Sequence, residues 1–201
     1  MKIFKLILLI SALFSLQFCG RDNSEEITSV TLSAQEKNDL LFSFEEEKMA
    51  RDTYIFLNNK WGISQFATIQ NSEQSHMNAV ENLLKKYNIP YQILPQGQFS
   101  DANLQTLYNQ LTAQGSLSKN QAFQAGATIE DVDIDDLETL KQHTTNATIL
   151  SVYNKLECGS RNHLRSFVAG ITNLGDTYTP QFISLAEFQS IINSANEQCG
   201  N

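Results

Sequence analysis

Glu73 and His76 stand in the middle of a run whose remaining seam residues, Phe66, Ile69, Val80, Leu83 and Tyr87, recur in steps of three and four. That spacing is the stripe a helix turns toward a bundle core. Ionisable side chains are almost never fully buried unless paired or bound to a metal, so a carboxylate and an imidazole in such a stripe call for chemistry. Residues three apart project from one helix face, and Glu-x-x-His can therefore offer an oxygen and a nitrogen to one ion. Three more stripes are interrupted in the same way. Glu47 breaks the series Leu40, Phe44, Ala50, Tyr54, Leu57. Glu130 and Asp133 break Phe123, Ala127, Leu137, Leu140. His163 breaks Ile149, Tyr153, Leu156, Ser160, Phe167, Gly170, Leu174. Each lies near mid-length, in phase with the core positions. Carboxylates shared between two ions, with one imidazole for each, form the ligand set of dinuclear helical-bundle centres. The candidate metal ligands are Glu47, Glu73, His76, Glu130 and His163, with Asp133 next.

The elements that must position these residues are all helical. Ser33-x-x-Glu36 reads as a capping box opening a first helix that stops near Trp61-Gly62. A second helix runs from Ser64 to about Tyr87, ended by Asn88 and Pro90. Their short link predicts antiparallel neighbours. Residues 88–117 carry Pro90, Pro95, Gly97 and Gly115, with a short helix from Ala102 to Gln114 behind an Asp101 cap. This stretch is long enough to cross the length of a bundle. Ser118 caps a third long helix, and a turn at 143–146 leads to a fourth from about Ala147 to Leu174. Ser184-x-x-Glu187 opens a last short helix to about Asn196. Neither a fixed-period repeat nor strand-like alternation is evident.

The stretch Glu47-Lys-Met-Ala50-Arg51-Asp-Thr-Tyr54 resembles the first-helix motif of rubrerythrins, Glu-x-x-Ala-Arg-x-x-Tyr, and Glu73-Gln-Ser-His76 resembles their second-helix motif. From about Leu40 to Ile192, including Gly159-Ser160-Arg161-Asn162-His163-Leu164, the chain is similar to a bacterial and archaeal ferritin-like family of unknown function. The resemblance implies an all-α, ferritin-like four-helix bundle with a metal site, and no established substrate. It implies iron, two ions, with manganese or zinc as alternatives, and oxygen or peroxide as reactants. The activity implied is that of an oxidoreductase, ferroxidase or peroxidase-like. Rubrerythrins place a second Glu-x-x-His on the fourth helix, whereas this chain has Ser160-x-x-His163. The missing glutamate leaves a single-metal site open beside the two-ion one, and Asp133 is the expected substitute. Glu157 is the other candidate, but it lies about 120° off the His163 direction. Tyr54 and Tyr153 read as core aromatics, with donation of an electron or a hydrogen bond as the other role, and Arg51 and Arg161 are expected to pair with ligand carboxylates or with the carboxylates around them.

The chain has 201 residues, 14 basic and 22 acidic, for a net charge of −8. Residues 1–18 read as a secretory signal: Lys2 and Lys5 precede an apolar run, Leu6 to Phe14, too short to span a bilayer. Apart from the bulk of Phe18, Leu16-Gln17-Phe18-Cys19-Gly20 resembles the lipobox of bacterial lipoproteins, which implies lipidation at Cys19, attachment to a membrane and an exported, cell-envelope location; an ordinary signal peptide cleaved nearby is the alternative. Residues 19–32 read as a polar tether and 33–199 as the folded domain. Loss of Lys2 and Lys5 lowers the basic count to 12 and the net charge to −10, which disfavours nucleic acid as a partner. The remaining cysteines, Cys158 and Cys199, are expected to pair in an exported protein. Glu45 and Glu46 fall out of phase with Glu47 and are expected at the surface, with His143 exposed in a turn. Asp131-x-Asp133-x-Asp135 begins like a calcium loop, but Asp136 and Gln142 occupy the places of its required Gly and Glu. Two other functions fit the residues: a transition-metal-binding protein without turnover, and a structural lipoprotein with a degenerate site.

Overall fold

A computed structural model describes residues 31–200. The secretory signal, the lipidation site Cys19 and the tether up to residue 30 lie outside the described residues. Among those described, six helices and no strands form. Helix α1 spans Ala34–Trp61, α2 Ser64–Lys86, α3 Ala102–Gly115, α4 Lys119–Gln142, α5 Ala147–Asn173 and α6 Leu185–Ile192.

The ends of these helices follow from side-chain chemistry. Glu36 N–H donates to Ser33 Oγ at 3.1 Å while Ser33 N–H donates to Glu36 Oε2 at 2.8 Å, so two otherwise orphaned donors are satisfied reciprocally. Gly62 ends α1 at φ 62°, a left-handed conformation glycine adopts without Cβ strain. Asp101, Ser118 and Asn146 cap α3, α4 and α5. At α6, Ser184 accepts the Glu187 N–H, but the cap is one-sided rather than the expected box, and the helix stops at Ile192.

α1 packs along α2 and α4 along α5; α2 meets α5 and α1 meets α4, closing a ring of four long helices. α3 lies against α1 and α4. Two apolar clusters fill the ring. One holds Tyr54, Phe66, Phe123 and Phe167, the other Leu40, Phe44, Leu137 and Leu156. The acidic stretch Glu130–Asp136 lies within an uninterrupted α4.

The segment between α2 and α3 is fastened to α1 by buried charge. Lys48, 2% exposed, donates to Asp52 Oδ2 at 2.7 Å and to the carbonyls of Pro95 and Gln98 at 3.1 Å each. Glu45 accepts from the N–H groups of Ser100 and Asp101 at 2.9 and 2.8 Å. The surface placement expected for Glu46 is therefore wrong, while Glu45 lies partly exposed at the edge of this contact. α1 is covered by α2, by α4 and by the crossover with α3, so its out-of-phase residues meet protein rather than water. Glu46 is only 2% exposed.

Asp131, fully buried, fastens the segment before α6: Tyr178 Oη, Gln181 N–H and Ile183 N–H donate to it at 2.7, 2.6 and 3.0 Å. The C-terminal tail is held on α5 by the Cys158–Cys199 disulfide, as the cysteine count anticipates. None of the described helices is long and apolar enough to cross a membrane.

Candidate metal centre

Between the two apolar clusters lies a polar layer to which all four long helices contribute. His76 Nδ1 lies 2.9 Å from Glu73 Oε2 and 3.3 Å from Glu47 Oε2. His163 Nδ1 lies 2.8 Å from Glu73 Oε1 and 3.4 Å from Glu130 Oε2. The imidazole rings are 5.6 Å apart and inclined by 28°. Two ligand groups result, Glu47–Glu73–His76 and Glu73–Glu130–His163, and within each the ligating atoms lie within 4.8 Å of one another. Glu73 belongs to both and turns one oxygen toward each histidine. A carboxylate so placed can bridge two ions.

Several of these N···O approaches are short yet not aligned as hydrogen bonds. Glu47 Oε1, Glu73 Oε1, His76 Nδ1 and His163 Nδ1 are buried without a hydrogen-bond partner. Buried polar atoms are ordinarily satisfied, so four orphans in this layer make their residues candidate ligands. All three carboxylates are 2% exposed.

Burial, the largest influence, raises the carboxyl of Glu47 to about 7 against the opposing pull of His76. It raises that of Glu130 too, with His163 opposing. Burial also works to raise Glu73, but His163 and His76 together hold it well below the carboxylate range. Burial works to lower His163, and Glu73 and Glu130 outweigh it, raising the imidazole to about 10. Metal binding at these residues must therefore displace protons.

Neighbouring side chains orient the set. The Tyr54 hydroxyl, fully buried, donates to Glu130. Ser72 Oγ meets His163 Nε2 at 3.0 Å, fixing the ring with Nδ1 inward. The Ser160 hydroxyl donates to Asp133, the aspartate expected to supply the carboxylate that position 160 lacks. Asp133 is buried beside both ligand groups but belongs to neither. Glu157 is turned away, paired with Lys141 and Arg161. The two arginines do not hold ligand carboxylates. Arg51 donates to Asp52 and Gln74, and Arg161 to Glu197. Each side chain lies on the flank of its helix, where its charge stays partly hydrated and the nearest acid is structural. Tyr153 is a buried residue of the second apolar cluster, apart from both ligand groups. His143 is more than a third exposed and lies 3.0 Å from Asp39.

Ser72 and Gly159 escape a reading of the sequence. Ser72 carries no signal beyond adjacency to Glu73. Gly159 does carry one, because a glycine inside a helix costs stability and needs a reason. Its reason is His76: a Cβ at 159 would stand 2.5 Å from Cε1 and Nε2 of that ring. Gly159→Ala is expected to push His76 off Glu47 and Glu73 and to cost about 1–3 kcal/mol by overpacking. Denaturant melts of the metal-free protein, with metal titration of the folded fraction, check both effects.

Residues 36–195 match the family described as an uncharacterized protein domain, DUF2202. The uncharacterized protein MJ0754 of Methanocaldococcus jannaschii is 47% identical over 169 residues, covering 83% of this chain and 91% of its own. The crystal structure of that hypothetical protein superposes with a TM-score of 0.81, covering 83% of this chain and 96% of the other.

Proposed function

We propose that this chain, which belongs to the DUF2202 family, is a ferritin-like metalloprotein holding two transition-metal ions in the layer between its apolar clusters. The observation that carries this reading is Glu73, whose two oxygens face two imidazoles, each backed by a further carboxylate. The donors are nitrogen and oxygen with no thiolate, a set that suits iron, manganese or zinc. Iron is the proposed metal, and a pair of ions with open positions would supply electrons for oxidase or peroxidase-like reduction of dioxygen or peroxide.

The protein's own part is positioning and enclosure. Glu47 and His76 present one group of donors, Glu130 and His163 the other, and Glu73 joins them. Ser72 sets the His163 ring, and Tyr54 holds Glu130 while placing a phenol proton beside the centre. Asp133, kept in place by Ser160, is the reserve carboxylate. Attachment to a membrane of the cell envelope through Cys19 belongs to the same proposal and rests on the lipobox resemblance.

Ferrous iron added anaerobically to metal-free protein tests it. Two irons per chain, with an absorption band appearing on admission of oxygen, is the expected result. One ion without oxygen chemistry would make the protein a metal carrier or sensor. No bound metal would reduce the layer to a polar network.

A further inference from the structure

The N-terminal half of α5 and the C-terminal tail border an open cleft, and the Cys158–Cys199 disulfide lines it. Ser151, Asn154 and Lys155 of α5 and Gln198 of the tail stand around the bond. Cys158 is 7% exposed and Cys199 is half-buried, so the sulfurs are approached from the cleft rather than sealed in the core. The three α5 residues belong to the two turns before Cys158. Asn162 lies one turn after it, and its amide N–H donates to Cys199 Sγ at 3.3 Å. That amide cannot turn over: Oδ1 accepts from Arg165 at 2.8 Å and from the Glu197 N–H at 2.9 Å. Its N–H groups are thereby aimed at the Glu197 carbonyl, 3.1 Å away, and at the sulfur. The Lys155 side chain lies on Gly200, where a Cβ would stand 3.9 Å from its Cε. An ammonium is thus held next to the residue that follows Cys199.

A disulfide that only braces a fold gains little from these neighbours, because cysteine sulfur is a weak acceptor. A thiolate gains much more: a hydrogen bond to an ionised partner is roughly twice as strong as a neutral one. A nearby cation likewise favours the thiolate over the thiol. Exchange proceeds by attack of one thiolate on a disulfide sulfur, and it is faster when the departing thiolate is better stabilised. The donor here sits on Cys199, on the far side of Cys158 from the α5 residues that line the cleft. Entry from the cleft therefore meets Cys158 Sγ, and the leaving sulfur is the one that Asn162 holds.

We propose that Cys158–Cys199 is a thiol–disulfide exchange site for a cysteine-bearing peptide, working independently of the histidine-containing layer. The incoming thiolate, drawn by Lys155, forms a bond to Cys158 Sγ. The Cys158–Cys199 bond breaks, and its electron pair departs on Cys199 Sγ, where Asn162 stabilises it. A second thiolate of the same donor then attacks the donor sulfur of the mixed disulfide, and Cys158 leaves as a thiolate. The donor dithiol is oxidised by two electrons to a disulfide, and the cysteine pair is reduced by the same two. The two protons lost by the donor thiols end on Cys158 and Cys199.

Two probes separate the sources of such a thiol: reduced glutathione, a short peptide with one thiol, and reduced thioredoxin, a protein dithiol. Each is added to the native protein without denaturant. Free thiols are alkylated and located by peptide mass while helicity is followed by circular dichroism. Glutathione is expected on Cys158 with Cys199 free, and thioredoxin is expected to leave both thiols free with the helices intact. Reaction with one probe alone would support the site and name its source. Lys155 is exposed, so Lys155→Glu should fold as the parent does. It should slow both reactions about tenfold at low salt, and the difference should shrink as salt is added. Thiols that appear only with denaturant, at the rate of unfolding, would overturn the proposal and leave a structural brace. Glutathione found on Cys199, or an unchanged rate in Lys155→Glu, would overturn the roles assigned to the two sulfurs and the ammonium.

Discussion

Glu73→Ala is expected to bring metal binding in the histidine layer from two ions to none. Each ligand group keeps one carboxylate and one imidazole after the change, and neither keeps the oxygen that joins them. A metal that binds only the native state stabilises it by mass action, about 4 kcal/mol at a thousandfold excess over Kd. For a domain of this size that is roughly 8–16 °C of melting temperature, since each kcal/mol shifts it by about 2–4 °C. The parent should show such a rise on loading, and the variant should melt at one temperature with or without metal. Glu73→Gln separates charge from volume: it keeps the side chain's bulk and should lose the same increment. Two ions still bound by either variant would show that the ions sit elsewhere. The metal-free variant is also informative, because Glu73 is the acid nearest both raised imidazoles. Without it, His163 loses its shortest charge contact, at 2.8 Å, and keeps only the one at 3.4 Å from Glu130.

Much of this centre is legible in the chain because the signal is a conflict between periodicity and residue type. The 3.6-residue repeat says that positions 47, 73, 76, 130 and 163 face the core, and the residue types say they should not. The helix ends are legible for a similar reason, since Ser33, Asp101, Ser118 and Asn146 act within three residues of themselves. Contacts between distant segments are not. Nothing in the sequence around Glu46 announces that α4 covers it, so an out-of-phase acid reads as surface. Arg161 illustrates the same limit: its partner is Glu197, in a tail whose path depends on the disulfide to Cys158. Lys48 sits beside Glu47 and would be assigned to solvent by any amphipathic pattern. Its ammonium is instead the hub that gathers Asp52, Pro95 and Gln98.

Removing Asp52 from that hub is expected to give the largest loss of stability without touching the metal centre. Asp52 is fully buried and accepts from Lys48 at 2.7 Å, from Arg51 at 2.8 and 3.1 Å, and from the Gly97 N–H at 3.0 Å. Asp52→Ala leaves the buried Lys48 ammonium with two carbonyls and the face of Phe99, 4.4 Å away, and leaves the Gly97 N–H unpaired. Breaking one side of a buried pair costs about 3–5 kcal/mol, because the remaining charge stays desolvated. The melting temperature should fall by roughly 6–20 °C. Asp52→Asn keeps an acceptor for Gly97 and should lose less. The increment gained on metal loading should match the parent's in both variants, since Glu47 faces the ring interior and Asp52 the crossover. The two changes thus act on separate quantities: Glu73→Ala removes the metal increment, Asp52→Ala lowers the baseline on which it is built. A parallel loss of metal affinity in Asp52→Ala would mean that the crossover clamp and the ligand layer are mechanically coupled through α1.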